Sequence, residues 1–422
     1  MRFSDGRKLS RTSIYILLIL GYSLFAFTSI KNKLMPEING AGTNNLVILI
    51  PLIVILVGIR RKFRIANWWK EALMLSFALL IVAIMSTRVE LLSDQGFYAF
   101  LLLFIPILLL FCFGIDQVED FDRIVTVLIV LNVVYSILTV VACMNFGRLI
   151  GLIGGDTNNY RYNSQYRASL MIGSAISVSY YMNITLPFIL MRFYSTKSKW
   201  YLIAIALNIT ATLVENSRLA VVAMAIVFLF GLFKFKTDNS TTGIRKKVFI
   251  SVLFVVGVIA VSRYFDVSRI LSRLSSNDES TVSRFASANL GLHIFEKNPI
   301  LGSGLAQYYL RARRSTYFIS IDNFSGLVNP HNTQIMLLSE LGLLGFIIFY
   351  SLLVNLYRPI ERFKNVNIKT LGEMVFLSHF IGSLGGTHVI DEINFSCIFW
   401  IYIGLLFNYC SAVARMEEDI NE

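Results

Sequence analysis

Charge is scarce in this chain: Asp, Glu, Lys and Arg supply 15% of its residues, against about 25% in a soluble domain. That shortage excludes an ordinary water-soluble fold. With 55% hydrophobic residues and a mean hydropathy of +0.65, the chain reads as an integral membrane protein. Cysteine is equally sparse. Cys112, Cys143, Cys397 and Cys410 stand singly in apolar segments, with no CxxC pair, so they read as packing residues rather than a zinc site. The four histidines, His293, His331, His379 and His388, show no metal-ligand spacing, and no metal site or cofactor is expected. No internal repeat or low-complexity tract is evident. No small-residue cleavage site follows Ile30, so the basic opening MRFSDGRKLSR reads as the flank of a start-transfer helix that stays attached.

What is abundant is apolar sequence in lengths suited to a bilayer, where a spanning helix needs about 20 residues. Candidate spans are 12–30, 44–59, 70–87, 96–115, 123–144, 169–191, 200–217, 219–233, 248–262, 333–357, 370–387 and 395–414. The expected fold is therefore all-α, a polytopic bundle of about twelve transmembrane helices. The spans 200–217 and 219–233 are separated by so little that they form either a tight hairpin or one long helix. Lys and Arg set the orientation. Arg60 to Arg64, Arg192 to Lys199, Lys234 to Lys247 and Arg358 to Lys369 lie in alternate loops, which places these loops and both termini in the cytoplasm. This bias accounts for most of the net charge of +12, so nucleic acid is not an expected partner. Three units follow: an N-terminal bundle (1–262), a large extracytoplasmic loop (263–332) and C-terminal helices (333–422).

The outer side then carries unexpected cations: Arg161, Arg167, Arg218, Arg284, Arg311, Arg313 and Arg314. Arg218 sits between two apolar segments, where an ionisable side chain is costly and marks a functional candidate; the structural alternative is an ion pair with Glu215, three residues away on one helix. Arginine presents a planar, permanently charged fork suited to phosphate oxygens, so converging outer arginines suit a lipid diphosphate. In the large loop, Phe285, Ala288, Leu292 and Phe295 recur at helical spacing over 281–297. That pattern fits an amphipathic helix on the membrane surface, or a helix packed on its neighbours. Asn298-Pro299 and Gly302-Ser303-Gly304 end it, and the GxG reads as a bend. His331, beside Asn332 at the start of the next span, can accept a proton near neutral pH. The pair Asp120 and Asp122 falls on the cytoplasmic side and reads as a solvated acidic turn.

RFASANLGLHIFEKNPILGSGLAQY, followed by HNTQIMLLSELGLLGF, resembles the signature region of the O-antigen ligase and polymerase family, bacterial membrane glycosyltransferases with a GT-C-like helical fold. The matched pieces are Arg284, Pro299 to Gly304, His331-Asn332, and Glu340-Leu341-Gly342 with Gly345; Ser217-Arg218 matches an earlier Ser-Arg pair. Ala306 departs from the pattern, where many members carry a third glycine. The resemblance implies a polysaccharide polymerase (capsule, exopolysaccharide or O-antigen) in the cell membrane. Such an enzyme moves a glycan from undecaprenyl diphosphate to a hydroxyl of another lipid-linked repeat on the outer face, without metal. It implies catalytic roles for His331, Arg218 and Arg284. Arg167, Arg161, Asn332, Arg311, Arg313, Arg314 and Glu340 become substrate contacts. The implied partners are the lipid-linked donor and acceptor, membrane lipid, and flippase and chain-length regulator proteins. An O-antigen or protein-glycan ligase with the same donor is the alternative. A flippase is the rival of another class, opposed by the absence of repeated halves.

Overall fold

The computed structural model describes residues 10–25, 53, 67–87, 103–110, 118–144, 160–162, 165–167, 175–215, 217–235, 279–313, 330–391 and 393–421. The candidate spans 44–59 and 248–262, most of 96–115, Arg314 and the loop residues 263–278 and 314–329 lie outside the described residues. Helices dominate: α1 (Arg11–Phe25), α2 (Asn67–Thr87), α3 (Val118–Cys143), α4 (Ala175–Thr196), α5 (Trp200–Val214), α6 (Arg218–Lys234), α7 (Glu279–Lys297), α8 (Tyr308–Arg313), α9 (Thr333–Glu361), α10 (Val366–Ser383), α11 (His388–Asp391) and α12 (Ile393–Asn421). The exception is a two-stranded antiparallel ribbon, β1 (Tyr160–Tyr162) and β2 (Gln165–Arg167), between the candidate spans 123–144 and 169–191. Among the described residues, Trp69–Ser86, Glu119–Cys143 and Thr333–Glu361 are long and apolar enough to cross a membrane. Arg11–Gly21, Trp200–Val214 and Phe395–Cys410 are shorter apolar helices.

Helices α4, α5 and α6 form the heart of the bundle. Asn208 of α5 donates to the Met182 carbonyl at 3.0 Å and to Asn132 Oδ1 of α3 at 2.9 Å, while Arg192, near the end of α4, faces Tyr201 at the start of α5. Helix α5 therefore runs antiparallel to α4. Asn183 donates to the Ala220 carbonyl at 2.7 Å, and Leu190 packs beside Gly231, so α6 runs parallel to α4. The chain thus reverses between α5 and α6. These bonds place amides against partners inside an apolar bundle, where an unsatisfied polar group would be expensive. The hairpin also corrects the proposed helical spacing of Glu215 and Arg218: Glu215 caps the end of α5, and Arg218 begins α6.

One end of the bundle holds ion pairs: Arg192 with Asp122 at 2.8 Å, Lys234 with Glu373 at 2.9 Å and Arg358 with Glu71 at 3.7 Å. The Asp120-Phe121-Asp122 element is consequently not a solvated turn. Glu119 and Asp120 occupy the first turn of α3, where acidic groups favour the helix dipole, Phe121 is buried, and Asp122 is paired. Helix α6 runs antiparallel to α10, since Lys234 meets Glu373 at this end while Leu219 meets Gly385 at the other. The far end is where the candidate site residues gather.

The candidate span 333–357 is not one straight helix. Helix α9 breaks at Gly342, whose φ is 67° and ψ −170°. Ser383 of α10 accepts from Gln334 at 2.6 Å and also faces Tyr350. Residues 334 and 350 would lie ~24 Å apart along an unbroken helix, so both reach Ser383 because the chain folds back at the break. The candidate span 370–387 is likewise shorter: α10 ends at Ser383, and Leu384 to Gly386 form a non-helical link before α11. The glycine pair Gly385-Gly386 explains the stop, having high backbone entropy and no side chain to pack.

Candidate functional site

The break in α9 is held by the signature loop. Ser303 N–H donates to Ser339 O (2.9 Å), Gly304 N–H to Glu340 O (2.8 Å), Leu343 N–H to Pro299 O (2.8 Å) and Leu344 N–H to Ile300 O (3.1 Å). The loop thus supplies the hydrogen bonds that α9 forgoes by breaking. Gly302 (φ 73°) and Gly342 (φ 67°) cross back to back: a Cβ on either would lie 2.5 Å from the other's backbone nitrogen, and closer to a carbonyl. The GxG is therefore more than a bend. Its first glycine and that of the ELG element serve one backbone contact. Ala306 also has positive φ (56°), so it holds a position that a glycine would occupy without strain.

Glu340 belongs to this scaffold. It is buried, and Oε1 accepts from Tyr308 N–H at 3.2 Å. Tyr308 donates its hydroxyl to Ser287 O at 2.8 Å, and burial pushes the phenol well above its usual ionisation range, so it stays a donor. Tyr308 and Ala312 of α8 close a small core with Leu290 and Ile294 of α7. Helix α7 thereby turns Ser287, Leu290, Gly291 and Ile294 inward, not the stripe chosen from sequence. Phe285 is 68% exposed and Leu292 39%. The helix is apolar on two faces, and periodicity selected the outer one. Gly291 lets α7 sit against Ile335 and Pro330 at the head of α9.

Helices α9, α6 and α4 bring residues to the link Leu384–Gly386. From α9, Asn332 caps the helix by accepting from Ile335 N–H at 2.9 Å and donates to Leu384 O at 3.2 Å, while Thr333 donates to Gly386 O at 2.6 Å. His331 precedes this cap, half-buried, with a left-handed backbone (φ 48°). From α6, Leu219 packs on Gly385, and the half-buried Arg218 precedes it in the chain. Ser217, extended at φ −95°, holds the N-cap position of α6 without a side-chain cap bond, and Arg218 adds its charge to a helix N-terminus whose amides already favour anions. From α7, Arg284 lies within electrostatic reach of Tyr180, whose hydroxyl would sit 3.2 Å from a Cβ on Gly385. Asn332, Thr333, Leu219 and Tyr180 thus meet the link directly, with Arg218 and His331 adjacent in sequence to two of them and Arg284 within electrostatic reach of a third.

Other candidates stand further out. Arg161 and Arg167 lie in the ribbon, paired with Tyr166 and Tyr160; antiparallel alternation puts the two arginine positions on opposite faces. Arg311 is exposed on α8, which ends at Arg313. Among the described residues no group of three His, Cys, Asp or Glu could hold a metal ion. Sequence reasoning missed Tyr180, Thr333 and the Gly385-Gly386 link. The double glycine was a legible signal, hidden by assigning it to a span.

A mostly helical chain with three described helices long and apolar enough to cross a membrane is consistent with a membrane protein. Residues 202–350 match the family model described as O-Antigen ligase. That match supports the O-antigen ligase/polymerase family, whose members are glycosyltransferase-like enzymes acting on lipid-linked polysaccharide substrates. No curated protein matches the chain. The matched segment runs from α5 through the break in α9, so it takes in Arg218, Arg284, His331 and both crossing glycines.

Proposed function

We propose that the chain is a polysaccharide polymerase of about twelve transmembrane helices, divided as 1–262, 263–332 and 333–422. In this reading both termini face the cytoplasm, and the link Leu384–Gly386 opens to the outer face of the cell membrane. The observation that supports the reading is the meeting of Asn332, of Leu219 beside Arg218, and of Tyr180 within electrostatic reach of Arg284 at that link, largely inside a segment matching the O-antigen ligase family.

The donor is a glycan on undecaprenyl diphosphate. The acceptor hydroxyl of a second lipid-linked repeat attacks the anomeric carbon; the C–O bond to the diphosphate breaks, and undecaprenyl diphosphate leaves. Arg218, with the α6 N-terminus, and Arg284 offset the charge that grows on the leaving group. His331 takes the acceptor proton, and its left-handed backbone is a strained conformation held by its surroundings, as is common at functional sites. Fixed guanidinium charge does the work of a divalent cation. Arg167, Arg161, Arg311, Arg313 and Arg314 extend the cationic rim for the glycan and lipid phosphate. Glu340 acts through the scaffold. The exposed Val282, Phe285 and Leu292 of α7 rest on the bilayer surface. A flippase supplies the substrate, and a chain-length regulator acts on the product.

A ligase using the same donor is the second reading, favoured by the description of the matching family. Purified enzyme given the lipid-linked repeat, with and without lipid A-core, separates the two. Polymer formed on the repeat alone supports the polymerase; product only with the second acceptor supports the ligase. His331→Ala is expected to lower turnover by about 10²–10⁴-fold, and near wild-type turnover in a folded variant removes His331 as the base.

A further inference from the structure

Behind the Leu384–Gly386 link lies a cavity of about 10 Å³. Its polar wall comprises Tyr180 of α4, Thr333 of α9, and Ser378, His379 and Ser383 of α10. His379 is 7% exposed, and its ring packs on Phe399 at 4.5 Å between centroids. Its Nε2 has no hydrogen-bond partner among the described residues. None of the roles assigned above uses this histidine.

A buried polar atom left without a partner costs about 1–3 kcal/mol. A cavity of about 10–15 Å³ with two to four polar groups is sufficient for one water molecule. The other wall groups suit such a guest. Thr333 Oγ1 commits its hydrogen to Gly386 O, and Ser383 Oγ commits its own to Phe380 O at 2.7 Å. Both hydroxyls are thus oriented; Ser383 Oγ already accepts from Gln334 at 2.6 Å, so the acceptor left facing a guest is Thr333 Oγ1. An apolar guest would leave Nε2 unsatisfied.

We propose that His379 and one ordered water form a positioning site for the reaction centre. The water bridges His379 Nε2 to the hydroxyl of Thr333. It thereby ties α10 to the head of α9 at the point where Asn332 and Thr333 grip the link. His379 touches no reacting atom. It holds the platform from which His331 is presented, and displacement of a catalytic group by about 1 Å can reduce rate by about 10²-fold. The kinetic part of this proposal rests on the glycosyltransferase reading.

The direct test is a high-resolution map of the full-length protein in nanodiscs. A single water peak within hydrogen-bonding reach of His379 Nε2 is expected; an empty cavity, or a protein group on Nε2, overturns the proposal. The kinetic test compares His379→Phe and His379→Gln in the purified full chain with the lipid-linked repeat. His379→Phe is expected to lower kcat about 10–100-fold with the donor KM changed less than about threefold, because the diphosphate contacts lie elsewhere. His379→Gln, neutral and able to hydrogen bond, is expected to restore at least a third of wild-type kcat. Equal activity in both variants overturns the positioning role, as does equal loss in variants that stay monodisperse. If His379→Phe does not fold, His379→Gln and the water peak decide. If the unsubstituted protein transfers no glycan, the functional reading fails, and the peak alone judges the water site.

Discussion

Replacing Gly342 with alanine perturbs the point where two backbones touch. At φ 67° and ψ −170° the residue occupies a region that is essentially restricted to glycine, so any side chain adds about 1–3 kcal/mol of local strain. The new Cβ would also press on the Ile300 carbonyl and lie 2.5 Å from Gly302 N. Neither is a side-chain tip that can swing away. Relief requires the loop to lift, which threatens the four hydrogen bonds joining 299–304 to 339–344, worth about 1 kcal/mol each. Strain and partial loss of those bonds together give a destabilisation of about 3–7 kcal/mol. At about 2 °C per kcal/mol, the low end for large domains, the apparent melting temperature falls by roughly 6–14 °C. The assay is thermal unfolding of the full chain in detergent, followed by intrinsic fluorescence, beside chain-length analysis of polysaccharide in a complemented deletion strain. Gly231→Ala is the control, because its Cβ meets chiefly the flexible end of Met374 and a small shift is expected. Gly342→Ala melting with Gly231→Ala, and making polymer of normal length, would refute the reasoning.

Three further outcomes follow from the same geometry. Ala306→Gly removes a left-handed alanine (φ 56°), trading about 1 kcal/mol of strain against about 0.5 kcal/mol of unfolded-chain entropy; a slightly higher melting temperature is expected, and a fall would contradict it. Asn332→Asp keeps the cap on Ile335 but loses the donor to Leu384 O, so stability stays close to wild type while turnover drops. Asn332→Ala loses both contacts, including a cap worth about 1 kcal/mol, and thermal unfolding should rank it below Asn332→Asp. Chelator leaves turnover of the purified enzyme unchanged, and restoration of a chelator-lost activity by a divalent cation would end the metal-free mechanism.

Legibility from sequence followed the range of the interactions involved. Apolar runs announced α2 and α3 to within a few residues, because burial in lipid acts on every residue of a span. The short interruption Asn216-Ser217-Arg218 announced a possible hairpin, and the bonds of Asn183 and Asn208 to α6 and α4 decide for it. Arg218, Arg284 and His331 were visible as polar residues in costly places and as parts of a family signature. Their approach to one link was not, since it depends on Leu219, Tyr180 and Asn332 meeting residues 384–386 from three distant stretches of chain. Helix α7 misled for a related reason. Periodicity identified the Phe285–Leu292 stripe, but the buried face is Ser287, Leu290, Gly291 and Ile294, two of them small and uninformative in a hydropathy pattern. Glu340 reads from sequence as a substrate contact, and its bond from Tyr308 N–H, 32 residues away in the chain, is not legible there.

The crossing of Gly302 and Gly342 has a bearing on how this protein can be taken apart. A division after residue 332 is natural on hydropathy, yet every donor and acceptor of that crossing has its partner on the other side of the cut. A chimera exchanging the outer loop alone would carry 299–304 away from 339–344 and leave the foreign loop facing a broken helix made for another. The transplantable unit runs from the start of α7 to a point beyond Leu344. Within it, loop and helix form a single interlocked piece, and specificity for a different glycan would have to be moved with the joint included.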